Sequence, residues 1–397
     1  MSTAVAMPVV RFRSSADSAL KFAVRLWFGL VVVGQLMLAF EVASFYTHAA
    51  ARGQWNSFNK FMQHGYVPGQ PIGNGVVAVH LAGVVLLILS GALQLVPQVL
   101  RRAPKVHRWN GRVYMVAALA MSGAGVSMLL RRGTTGGPFE YAALFVNALL
   151  IWAFAGLALR YALKRDFVRH RQWALRLYVV SLGVFFLRVA VPMWVALLGP
   201  VGMDFTTFTG PALAFWAYGC YLVPLAMMEL YLRTQAKPGS GRRWAMAGGV
   251  FVMTLLMGVG TAAAAAGTWV PTIERTYSSR LPISEVMNAT IAAKGIDAAV
   301  AQYRELKATA PGSYNFAEGE LNDLGYRYIR GKNYEVAIKV LALNVEAYPR
   351  SSNTWDSLGE AYVDDGDKQL ALANYRKSVE LNPKSAGGLK AIAELSR

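Results

Sequence analysis

GVVAVHLAGVVLLILSGALQLVPQ, residues 75–98, carries no formal charge, and only His80, Ser90, Gln94 and Gln98 interrupt its apolar and small side chains. A helix rises about 1.5 Å per residue, so a run of this length crosses a bilayer core of about 30 Å. Six comparable runs accompany it, at about 22–44, 111–130, 141–163, 176–199, 211–232 and 244–267. The pattern predicts an all-α protein built on a seven-helix transmembrane bundle. Ala49-Ala50-Ala51 after the first run resembles a leader cleavage site. The residues ahead of the run are many and its apolar part reaches Phe40, which favours an uncleaved helix.

The composition agrees. Hydrophobic residues make up 55% of the chain and charged residues 16%, where a soluble protein has about 25% charged. The charge is also unevenly placed. Residues 1–269 hold 24 Lys and Arg against 6 Asp and Glu, whereas residues 270–397 hold 16 of each. The whole basic excess lies in short clusters between apolar runs, which argues against nucleic acid and for a membrane. Cytoplasmic loops retain positive charge. The N-terminus and the second, fourth and sixth loops with their flanks hold 18 Lys and Arg, and the alternate loops hold 4. This places the N-terminus in the cytoplasm, the protein in the inner (plasma) membrane as a multi-pass protein, and the C-terminal part outside. Cys220 is the single cysteine, so intrachain disulfides and multi-cysteine metal sites are excluded.

After Trp269 the texture becomes charged and helical, and a repeat emerges. Trp355, Leu358, Gly359, Tyr362, Ala371, Tyr375 and Pro383 have the spacing of a tetratricopeptide repeat. Leu321, Leu324, Gly325, Tyr328, Ala337, Leu341 and Pro349 stand 34 residues earlier. A degenerate copy ends in Ala299, Tyr303 and Pro311 and is followed by a four-residue insertion. Large residues of each first helix pack on small ones where two helices meet, and proline ends the second helix. The expected organisation is a cytoplasmic N-terminus at 1–21, a membrane domain at 22–269, a connector at 270–282 and a repeat domain at 283–397. Repeats of this kind bind a protein or peptide partner.

No Walker loop, His-Glu-x-x-His or nucleophile elbow is present. The remaining candidates are polar residues at membrane depth, where burial is costly and function is the default hypothesis. Arg188 falls near the middle of the fifth span, while Glu41, His80 and Asn147 fall in the outer half of the first, second and fourth. An arginine stays charged and needs an anion, carbonyls or water. Glu41 is its natural counter-charge, directly or through His80 and Asn147. These four residues define either an outward-facing pocket for a small anionic or redox-active ligand, or an ion pair that orders the bundle.

A second group belongs to the cytoplasmic face. His107-Arg108-Trp109-Asn110-Gly111-Arg112-Val113-Tyr114 opens the third span, and His170-Arg171-Gln172-Trp173-Ala174-Leu175-Arg176 opens the fifth. His107 and His170 at one depth suit the axial positions of a b-type haem. With Arg108, Arg112, Arg171 and Arg176 they also suit lipid or ligand phosphate. The plain alternative is positive-inside residues with interfacial aromatic anchors. His48 and His64 read as ordinary loop residues.

The stretch from about His80 to Arg188 resembles the uncharacterised bacterial membrane-protein family called domain of unknown function 2306. The resemblance rests on His80, the His107-Arg108-x-x-Gly111-Arg112-x-Tyr114 run, the His170-x-x-Trp173-x-x-Arg176 run and Arg188. The family usually has Met after that Trp, where Ala174 stands here. The resemblance implies a membrane bundle and no particular activity. Three functions follow as expectations: a receptor or scaffold whose repeats bind a partner, a haem- or quinone-linked redox protein, and a transporter or lipid-handling protein.

Overall fold

A computed structural model describes residues 15–396 apart from 61, 63, 206, 237, 238, 279 and 384. Arg11, Arg13 and Lys237, three of the charges behind the expected orientation, lie outside the described residues. The chain divides into two compact units, Met1–Thr276 and Tyr277–Arg397.

The first unit is a helical bundle. It comprises α1 (Ser15–Ala51), α2 (Pro71–Gln94), α3 (Pro97–Arg102), α4 (Pro104–Arg132), α5 (Gly137–Leu163), α6 (Phe167–Ser181), α7 (Gly183–Leu198), α8 (Pro211–Ala236), α9 (Ser240–Ala264) and α10 (Val270–Tyr277). Proline stands in the first turn of α2, α3, α4 and α5. There its missing N–H costs nothing and its fixed φ favours the helix. Asp166 caps α6 by accepting the Arg169 N–H at 3.0 Å. Among the described residues six helices are long and apolar enough to cross a membrane, and the bent pair α6–α7 makes a seventh if the two form one span. Phe22, Phe40, Val116, Leu130, Val184 and Leu255 are exposed on the bundle's outer faces. A surface this apolar requires lipid against it. The chain is a membrane protein.

The fifth span differs from the straight helix expected at 176–199. It starts at Phe167 and bends by 52° between α6 and α7. Ser181 and Gly183 flank the bend, and such small residues are where helices kink. Gly183 is also a point of close approach. A Cβ there would stand 2.4 Å from Asn147 Nδ2 and 3.4 Å from Tyr221 Cβ, so only glycine lets α5 and α8 close on the bend. The last span also departs from a plain helix. A π-helical turn, Ala265–Trp269, joins α9 to α10, and Trp269 at its end is buried in the core. His48 lies inside α1, not in a loop.

The second unit is a stack of helical hairpins. These are α11 (Ile283–Lys294) with α12 (Ile296–Thr309), α13 (Glu318–Arg330) with α14 (Tyr334–Ala347), and α15 (Ser352–Asp365) with α16 (Lys368–Leu381), followed by α17 (Ala386–Leu395). The repeat spacing is explained by contact. A Cβ on Gly325 would meet Leu341 Cγ at 2.5 Å, and one on Gly359 would meet the Tyr375 ring at 3.2 Å. Each glycine thus seats the large residue of its partner helix. Asn333 and Asp367 cap α14 and α16. The insertion after Pro311 has a structural use. Its residues Tyr314–Asn315 form β2, which pairs in parallel with β1, Leu281–Pro282, ahead of the first hairpin.

Candidate functional site

Glu41 sits on α1 with 2% of its surface exposed, among Leu38, Val42 and the other apolar residues of that helix face. Arg188 lies on α7, six residues past the bend at Leu182, or about 9 Å along the helix. Its Nη1 is 4.0 Å from Glu41 Oε2, and 34% of the Arg188 side chain remains uncovered against 3% for Glu41. Pro192 follows four residues after Arg188 inside α7. It has no N–H, so the Arg188 carbonyl lacks its usual helical donor. A guanidinium, a carboxylate and a freed carbonyl therefore share one level of the bundle.

The other two residues grouped with this pair take different partners. His80 Nδ1 lies 3.1 Å from the Met121 carbonyl on α4, and its ring rests against Gly125. Asn147 packs its amide against Gly183 at the bend, and its Oδ1 has no protein partner. The structure brings Glu41 and Arg188 together, while the nearest contacts of His80 and Asn147 are to α4 and to the bend at Gly183.

The face expected to be cytoplasmic is held by a different set of contacts. Gln94 on α2 bridges two α4 side chains: its Nε2 lies 3.1 Å from His107 Nε2 and its Oε1 accepts from Asn110 Nδ2 at 2.9 Å. Asn110 also donates to the Ser90 carbonyl at 2.7 Å. His107 Nδ1 is buried with no protein partner. His170 Nδ1 lies 2.9 Å from the Ala158 carbonyl on α5. Arg176 forms a two-pronged pair with Glu229 of α8, at 2.5 and 3.0 Å. Arg112 and Arg176 lie over the rings of Trp109 and Trp173 at 4.7 and 4.5 Å. Arg108 and Arg171 are exposed.

These bonds bear on haem. His170 has the wiring of an axial ligand, since a carbonyl holds one ring nitrogen and the other stays free. In His107 it is Nε2 that Gln94 engages, which leaves only the buried Nδ1 to a ligand. Among the described residues no three His, Cys, Asp or Glu side chains gather as a metal site. Within this group the Arg176 guanidinium is the one paired with a carboxylate among the described residues.

A further polar group in the bundle interior was hidden from the sequence reading. Gln35 is fully buried on α1 and donates to Tyr178 OH at 3.0 Å. Tyr114 on α4 and Tyr178 on α6 both close over Gly91 of α2, where a Cβ would meet their rings at 2.9 and 3.2 Å. Gln35 was visible as the one amide inside the first span. Ser181 and Tyr114 carry too little polarity to interrupt an apolar run.

Fold and site together define a multi-span α-helical membrane protein with a C-terminal domain of tetratricopeptide-type hairpins. Comparison with known proteins gives the same two parts. Residues 77–232 match the family model described as "Predicted membrane protein (DUF2306)", a segment that runs from α2 into α8. Superkiller complex protein 3 from Homo sapiens is 33% identical over 73 residues, which is 18% of this chain and 5% of that protein. Tetratricopeptide repeat protein 37 from Xenopus laevis is 34% identical over 73 residues, with the same shares of 18% and 5%. The chain thus spans about 5% of the length of these relatives.

Proposed function

We propose that the protein is a membrane-anchored receptor or scaffold. The bundle holds it in the plasma membrane with its N-terminus in the cytoplasm, and the repeat domain faces outward to bind a protein or peptide. One observation carries this reading: the first helices of successive hairpins are tied together by side chains. Arg327 Nη2 meets Glu285 at 3.0 Å, Tyr328 OH meets Asn288 at 3.0 Å, and Tyr326 OH bonds Glu360. Helices α11, α13 and α15 thereby form one ordered surface, the surface that stacked helical repeats present to partners. Photo-crosslinking residues placed at Asp323 and Asn353, exposed on α13 and α15, test it in native membranes. The reading expects adducts from these positions and none from Lys377 on α16. Equal labelling from both faces, or none from either, counts against it.

A second reading rests on the bundle. Transporter sites gather where spans are discontinuous, and Arg188 with Glu41 stands just beyond the bend of α6–α7. Arg188→Ala and Glu41→Gln would then impair function to a similar degree. Cells that tolerate both changes without effect would leave the pair a structural one.

A further inference from the structure

The bundle interior contains more hydrogen-bonding capacity than its protein contacts use. Gln35 Oε1, Tyr114 OH, Ser181 Oγ, Asn147 Oδ1 and His107 Nδ1 are all buried and without a protein partner. The first four belong to residues no more than 8% exposed. The Tyr114 and Ser181 hydroxyls lie beside one another. Polar atoms buried in this way bond ordered water in native proteins, and in a lipid-embedded bundle few other partners exist.

Apart from Asn147, which packs at Gly183, these atoms are arranged in a row. At one end His107 joins Gln94, which joins Asn110, which reaches the Ser90 carbonyl. The next residue on α2 is Gly91, under the rings of Tyr114 and Tyr178. Ser181 lies beside Tyr114, and Tyr178 receives the amide of Gln35. The row therefore runs from the end of the bundle at His107 to its middle, lined by α1, α2, α4 and α6. It stops at a ring. Phe185, 3% exposed, packs at 3.0 Å from where a Cβ on Gly34 would be. Gly34 is the neighbour of Gln35, and Phe185 precedes Arg188 by three residues, or about 4.5 Å of helix. Beyond the ring stands the Glu41–Arg188 pair.

We propose that this row is a hydrated proton path through the bundle, gated by Phe185, which leads from His107 to Glu41. A proton passes along the water that these groups hold and through the Tyr114 and Tyr178 hydroxyls, one O–H bond forming as the next breaks, while the Gln94, Asn110 and Gln35 amides only hold that water in place. One proton enters for each that leaves, and nothing is oxidised or reduced. The apolar ring interrupts the water between the two polar sections, the way hydrophobic constrictions close channels. Arg188 neutralises Glu41 on the far side, so the acceptor is released only when the pair opens.

The test uses the purified full-length protein in liposomes with an entrapped pH dye and a valinomycin-imposed potassium potential. Wild-type vesicles should take up protons faster than protein-free ones. Phe185→Ala should raise the rate about tenfold by removing the gate, and Tyr114→Phe should lower it by a similar factor through the loss of one relay. Tyr114→Phe deletes a single hydroxyl and keeps the ring, so the variant should fold. Hydroxyl-radical footprinting of the same protein should label Tyr114 and Tyr178 in the membrane. Phe185→Ala protein that is helical and monodisperse, yet no more permeable than protein-free vesicles, overturns the proposal. Conduction that Tyr114→Phe leaves unchanged, with Tyr114 unlabelled, overturns it as well.

Discussion

Gly325→Ala should loosen the second hairpin of the repeat domain. The added methyl would stand 2.5 Å from Leu341 Cγ, 2.6 Å from Cδ2 and 3.1 Å from Cδ1. Carbon atoms pack at about 3.5–4.0 Å, so Leu341 must retreat by about 1 Å. It is fully buried beside Ala337, Leu358 and Ala361 and has no solvent to move into. Overpacking of this kind costs about 1–3 kcal/mol. Alanine recovers up to about 1 kcal/mol through better helix propensity. The clash involves three atoms of one side chain, which puts the net loss at about 1–2 kcal/mol. Hydrogen exchange of the full-length protein reads this directly: amides of α13 and α14 should exchange about 5–30-fold faster. Gly387→Ala on α17, where a Cβ meets nothing within 4 Å, is the control and should not loosen its helix. Unchanged protection in Gly325→Ala would refute the idea that close approach, and not chance, put glycine at this repeat position.

Three further outcomes are expected. Burial pushes the Asp356 carboxyl above the usual 3.8, and the Ser378 hydroxyl at 3.3 Å offsets this only in part. A raised acid binds more protons folded than unfolded, so this residue's contribution falls as pH rises above 3.8. Asp356→Asn should therefore raise the melting temperature at pH 7, with a gain that shrinks towards pH 3.8 as the aspartate itself protonates. In the α6–α8 pair, Arg176→Ala and Glu229→Ala should show a coupling of about 0.5–3 kcal/mol in a double-mutant thermal-unfolding cycle, and Arg176→Lys should recover little of it because the pair is two-pronged. The engagement of His107 by Gln94 predicts no Soret band in detergent-purified protein; a band that disappears in both His107→Ala and His170→Ala would reverse that expectation.

Hydropathy made the spans legible because each is a long apolar run with few charges, and the 34-residue offset made the repeats legible because seven positions recur with one character. The four-residue insertion was visible, yet its pairing of Tyr314–Asn315 with Leu281–Pro282 joins segments about thirty residues apart that carry no strand pattern. The bend at Leu182 escaped for a related reason. Ser181 and Gly183 are ordinary in an apolar helix, and the approach of Asn147 and Tyr221 that the glycine permits is a tertiary fact. Depth arithmetic set Arg188 near the middle of its span and Glu41 in the outer half as its counter-charge, and the two side chains approach to 4.0 Å. The same arithmetic assumed that spans are centred on their apolar runs. It could not show that His80 would turn to the Met121 carbonyl on α4. Glu229, at the charged end of its span, gave no sign that it would claim Arg176.

The central claim is that the repeat domain is displayed outside the cell membrane on an uneven number of spans. Labelling of introduced cysteines with a membrane-impermeant maleimide tests it most directly, since the native Cys220 is buried. Ser313→Cys and Lys105→Cys occupy exposed positions in the repeat domain and at the start of α4. In intact spheroplasts Ser313→Cys should label at once, and Lys105→Cys only after the membrane is opened. Labelling of Lys105→Cys in intact spheroplasts, with Ser313→Cys protected, would contradict the orientation and the outward-facing role built on it.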